Sequence, residues 1–90
     1  MTIWKYQLGR RPVCQFTIPA GAQFLGVQLQ DGVATTWALV DPRSRKVEYR
    51  IRMFGTGQDI PAFDGELKHI GTVIDGQFVW HYFAETVRDL

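Results

Sequence analysis

Between Val47 and Phe54 the chain reads Val-Glu-Tyr-Arg-Ile-Arg-Met-Phe, and apolar and polar side chains change places along the run. A period of two belongs to a β-strand with one buried face, because successive side chains of an extended backbone point to opposite sides. The same arrangement recurs on both sides of this run: short alternating or apolar stretches, cut by Asp-Gly pairs and Gly/Pro punctuation. It predicts strands over residues 3–8, 13–18, 23–30, 33–40, 47–54, 68–74 and 77–84. No window carries the stripe of an amphipathic helix. About seven short strands with turns every 8–12 residues predict a single all-β domain, a small antiparallel sandwich or barrel.

The alternation also assigns faces. Trp4, Tyr6 and Leu8 share one side of the first strand, and Cys14, Phe16 and Ile18 one side of the second. Leu25, Val27 and Leu29 alternate in the third; in the fourth, Trp37 and Leu39 lie opposite Ala38 and Val40. Asp31-Gly32 and Asp75-Gly76 are read as tight hairpin turns, where positive φ is wanted. The seventh strand departs from half-burial. Phe78, Trp80 and Tyr82 line one face, and Val79 and Phe83 flank His81 on the other. A chain of 90 residues has one modest core to offer. Two-sided burial therefore predicts a homo-oligomer with Phe78, Trp80, His81, Tyr82 and Phe83 at its interface. Glu85 to Leu90 are read as a helical turn or a fraying end.

Cys14 is the one cysteine, so no intramolecular disulfide can form and nothing points to an oxidising compartment. The opening Met-Thr-Ile-Trp-Lys-Tyr lacks the basic and apolar regions of a secretory leader. No apolar run approaches the roughly 20 residues that span a bilayer. The expectation is a soluble cytoplasmic protein with no membrane partner. Net charge is +1 but segregated: residues 1–52 hold eight Lys/Arg and three Asp/Glu, residues 53–90 two and six. A near-neutral total and the lack of a recognition helix argue against duplex nucleic acid.

Chemistry concentrates around the alternating run. Arg50 and Arg52 share a face with Phe54, and the strand runs into Gly55-Thr56-Gly57-Gln58. Guanidiniums beside an aromatic ring can clamp a phosphate and stack a base. Successive backbone N–H groups of a glycine-rich turn can cradle an anion, although the spacing matches no nucleotide fingerprint. Arg50, Arg52, Phe54, Gly55, Thr56, Gly57 and Gln58 are thus the expected ligand-binding set. The loop continues through Asp59 and Phe63-Asp64-Gly65, and a connection of that length is more often functional than a short one. His69 and His81 with Cys14 are too few ligands for a metal site. Cys14 alternates with core residues and reads as a buried thiol, not a nucleophile. Asp31, Asp41 and Asp75 are turn residues; Asp59 and Asp64 have no such duty. No cofactor and no catalytic residue is expected, and an enzyme is the last of the readings.

Six segments, taken in order, resemble a family of small uncharacterised proteins encoded by tailed phages and prophages. They are Trp4-Lys5-Tyr6-Gln7-Leu8, Ile18-Pro19-Ala20-Gly21-Ala22, Trp37-Ala38-Leu39-Val40-Asp41-Pro42, Phe54-Gly55-Thr56-Gly57, His69-Ile70-Gly71-Thr72 and Phe78-Val79-Trp80-His81. The resemblance spans nearly the whole chain. It implies a setting, the cytoplasm of an infected bacterium, and brings no activity. In that setting the first expectation is a non-enzymatic counter-defence protein that sequesters a nucleotide-type signal as a homo-oligomer. An inhibitor docked on a host protein and a minor virion or assembly protein are the alternatives.

Overall fold

The computed structural model describes residues 1–62 and 66–89. Among them are seven strands and no helix: β1 (Thr2–Gln7), β2 (Val13–Pro19), β3 (Gln23–Gln30), β4 (Val33–Val40), β5 (Lys46–Gly55), β6 (Lys68–Asp75) and β7 (Phe78–Asp89). They pair antiparallel into a three-stranded sheet of order β1-β4-β3 and a four-stranded sheet of order β2-β5-β7-β6. The two sheets pack as a sandwich; each keeps its own edges, so the barrel alternative is excluded. Phe63, Asp64, Gly65 and Leu90 lie outside the described residues. Among the described residues, no helix is long and apolar enough to cross a membrane.

The run that opened the sequence reading becomes β5, an interior strand between β2 and β7. Its inward residues Val47, Ile51 and Met53 are buried. Ile51 and Met53 meet Cys14 from β2, Tyr82 and Ala84 from β7, Ile70 and Val73 from β6, and Leu8, Val27 and Ala34 from the opposing side. A second group forms around Ile18, Ala38 and Val40, with Tyr6, Phe16, Phe24 and Tyr49 packed against it. The small inward residues of β4 let its backbone approach the aromatic rings across the interface. Trp37 and Leu39 consequently face outward and are half-buried.

The Asp31-Gly32 hairpin is as read: both residues have positive φ, 51° and 78°. The second hairpin is shifted by one residue. Asp75 pairs with Phe78, so the two-residue loop is Gly76-Gln77, with Gly76 at φ 62°. A glycine at the first central position is the requirement of a type II′ turn.

Three further departures have physical causes. In β3 the register shifts between Phe24 and Val27. The bulge exposes Leu25, and the inward pair becomes Phe24 and Val27, not Leu25 and Val27. In β6 it shifts between His69 and Gly71. These two irregular stretches face each other. A Cβ on Gly71 would lie 2.6 Å from the Val27 nitrogen, so glycine there lets the sheets close. Lastly, β7 does not end at Ala84 in a helical turn; it continues to Asp89, where the ladder reaches Val47 of β5. β5 provides a partner from Trp80 to Asp89.

The aromatic strand is likewise divided. Tyr82 is buried in the core, where its hydroxyl donates to the Gly9 carbonyl at 3.0 Å. Trp80 lays its ring edge beside Gly55. Around Tyr82 and Ala84 the inner face of β7 is therefore covered by the protein's own core, and Tyr82 presents no surface to a partner.

Candidate functional site

The outer face of the four-stranded sheet collects most of the chain's unusual chemistry. Cross-strand pairing arranges it in rows. Phe54, His81 and Thr72 form one row across β5, β7 and β6; Arg52, Phe83 and His69 form the next; Arg50 and Glu85 follow. Thr56, just past β5, overhangs the first row.

Arg50 and Arg52 do share a face, as parity demands, and both reach one carboxylate. Arg52 Nε donates to Glu85 Oε1 at 3.0 Å and Arg50 Nη1 to the same oxygen at 3.3 Å. The Glu85 side chain is 12% exposed and those of Arg52 and Arg50 21% and 32%, so the group is partly withdrawn from water. Two cations meet one carboxylate there. The contacts also hold both guanidiniums in place.

The histidines were set aside in the sequence as too few for a metal, and parity hides their relation. His69 and Thr72 are three apart, so a regular strand would put them on opposite faces. The β6 bulge takes up one residue and restores both to the outer face. The outcome is a continuous row of hydrogen bonds. Thr56 Oγ1 lies 2.8 Å from His81 Nε2, His81 Nδ1 lies 3.1 Å from Thr72 Oγ1, and Thr72 Oγ1 lies 2.9 Å from His69 Nε2. The signal that could have found this is Gly71, since a glycine inside an alternating strand marks a bulge.

Other expected ligand residues take different parts. Phe54 is buried, with its ring 6.0 Å from that of Phe83 in an edge contact. Phe83, half-buried and edge-on to His69 at 5.3 Å, is the ring nearer the surface. Three backbone donors of the turn after β5 are spent within the protein. Gly55 N–H goes to the Gln58 side-chain carbonyl, Thr56 N–H to Val79 O, and Gln58 N–H to Gly55 O. It is a closed turn that presents the Thr56 hydroxyl, with Gly57 at φ 88° completing the bend.

Of the expected interface residues, His81 and Phe83 belong to this same face, whereas Phe78 is exposed at the β6–β7 tip and stacks on Trp80 at 5.9 Å. Cys14 lies on the inner side. Its thiol donates to Leu8 O at 3.2 Å, and burial raises its pKa although Arg11 pulls the other way. No group of three or more His, Cys, Asp or Glu among the described residues is placed to hold a metal. Two clefts also open between the sheets. One of about 290 Å³ lies by Leu29, Val33 and Trp80, and one of about 430 Å³ by Phe24, Tyr49 and Lys68.

Comparison with known proteins gives one family. Residues 1–89 match the family described as Domain of unknown function (DUF7352), and the chain belongs to it. No curated protein and no solved structure matches the chain.

Proposed function

We propose that this member of the DUF7352 family is a non-catalytic binding protein that takes a small phosphorylated, nucleotide-type ligand on the outer face of its four-stranded sheet. One observation carries the reading: Arg50, Arg52, His69, Thr72, His81 and Thr56 bring guanidinium, imidazole and hydroxyl donors to one face. The ring of Phe83 lies among them. A phosphate needs clustered donors of positive or neutral charge, and a base needs an aromatic surface. The single carboxylate between the arginines, Glu85, orients them. The protein works as a homo-oligomer in the cytoplasm of a phage-infected bacterium and withdraws a nucleotide signal of host defence. Exposed Phe78 and Ile74 at the β6–β7 tip supply apolar contact between copies.

The test is a native mass spectrum of the protein purified from bacteria that produce nucleotide defence signals. The reading expects an oligomer with extra small-molecule mass, lost in Arg52→Ala while the unfolding midpoint stays within reach of the wild type. A ligand-free species from such cells contradicts it.

A second reading, direct docking on a host protein, draws on the opposite surface. Ile3 and Leu25 are exposed on the outer side of the three-stranded sheet, beside half-buried Trp37 and Leu39. Capture of one host protein that is indifferent to nucleotides and lost in Ile3→Asp would favour it.

A further inference from the structure

Among the described residues the two sheets have four edge strands, β1 and β3 in one, β2 and β6 in the other. An open edge presents unpaired backbone N–H and C=O groups to any further strand, and soluble proteins block it with bulges, prolines or charges. Three of the four edges are blocked in these ways. β3 is bulged between Phe24 and Val27, and β6 between His69 and Gly71. β2 is bracketed by Pro12 and Pro19. β1 is different. It contains no proline, and its register on β4 runs unbroken from Thr2 to Gln7. Its one charge, Lys5, does not guard the edge, because Nζ reaches across the sheet to Gln30 Oε1 of β3 at 3.2 Å.

The side chains of β1 leave apolar surface at the same place. Every residue of the strand except Tyr6 is exposed, Ile3 at 56% and Trp4 at 37%. Lys46 Nζ lies over one face of the Trp4 ring, 5.5 Å from its centre. At the far end of the strand Arg11 donates to the Gln7 and Leu8 carbonyls, which closes the strand there. The open stretch is thus Thr2 to Tyr6, and its midpoint is Trp4.

We propose that β1 pairs antiparallel with β1 of a second copy about a two-fold axis at Trp4, so that two three-stranded sheets join into one of six strands. The inference rests on the homo-oligomer proposed above and gives it a contact apart from the β6–β7 tip. Residues opposite each other in an antiparallel pair share a face. A two-fold axis that continues both faces of the sheet therefore passes through a residue. At Trp4 it uses the whole open stretch: Thr2 meets the partner's Tyr6, Ile3 the partner's Lys5, and Trp4 its own copy. At Lys5 it would set two ammonium groups opposite each other, which is destabilising. At Ile3 it would leave Tyr6 unpaired. One register thus satisfies the strand against itself, which favours a second copy over a foreign strand, and such a contact is isologous, the commonest kind in soluble oligomers.

Sedimentation equilibrium measures the association, and a mixed sample of isotope-labelled and unlabelled chain gives NOEs between copies. The expected result is a dimer, or an assembly of dimers, with NOEs from Ile3 to the partner's Lys5. Ile3→Lys sets like charges opposite each other twice per dimer and should weaken association about tenfold. Ile3→Glu faces the same lysine with the opposite charge and should hold or tighten it. Ile3 is exposed, so both variants should keep the wild-type circular dichroism spectrum. Equal weakening by the two variants, or the lack of any NOE between β1 strands in an oligomer, overturns the pairing. An oligomer dispersed by Phe78→Asp and indifferent to Ile3→Lys overturns the pairing and keeps the homo-oligomer. A chain that stays monomeric overturns both.

Discussion

A methyl group at position 71 would meet the Val27 nitrogen at 2.6 Å and its Cγ2 at 2.8 Å. Backbone cannot yield as a flexible side chain can. Gly71→Ala should therefore cost about 1–3 kcal/mol in urea unfolding, the range for overpacking. Gly32→Ala is a useful contrast: its added methyl meets nothing within 4 Å, and only the φ of 78° resists it. A cost of about 1 kcal/mol is expected there. Glu85→Gln keeps the shape but removes the charge between Arg50 and Arg52. Since the three side chains are partly hydrated, the loss should be about 1 kcal/mol, with greater mobility of both arginines. Buried ionisable groups set a pH limit. Burial raises the pKa of Cys14 from 9.0 and those of Tyr82 and Tyr6 from 10.0, with the Cys14 charge adding to the Tyr82 effect. The folded chain keeps these protons where the unfolded chain releases them. Their stabilising effect is thus complete below about pH 9 and is lost as pH rises further. Urea midpoints measured from pH 8 to 11 should fall steadily; a constant or rising midpoint contradicts this.

At the scale of elements, alternation was enough to locate all seven strands, and the Asp31-Gly32 turn was legible because both residues adopt the positive φ that the pair signals. What alternation could not reveal is where it breaks. The bulges in β3 and β6 each insert one residue, and each changes which residues share a face across it. Leu25 was misplaced for that reason, and the link between His69 and His81 was hidden for the same one. The end of β7 was missed because its sequence is mixed in character. Its extension comes from pairing with β5, a tertiary fact that local pattern does not carry. The candidate site was half legible. Parity put Arg50 and Arg52 together, but the roles of Glu85, Thr72 and His69 depend on cross-strand pairing and on the β6 bulge, which alternation within one strand does not carry.

For the whole molecule, the sandwich divides its surface into two sheets of different character. One outer face gathers donors, and the other carries Ile3, Leu25, Trp37 and Leu39 among glutamines. Ligand binding is proposed on the first. Its most direct test is an amide and histidine-ring NMR titration of the labelled protein with a panel of cyclic and linear nucleotides. Saturable shifts should fall on Arg50, Arg52, Thr56, His81 and Phe83 for at least one member of the panel, and Arg52→Ala should abolish them. Shifts confined to the cleft of Phe24 and Tyr49 or to the three-stranded sheet, or no shift across the panel, would contradict the account.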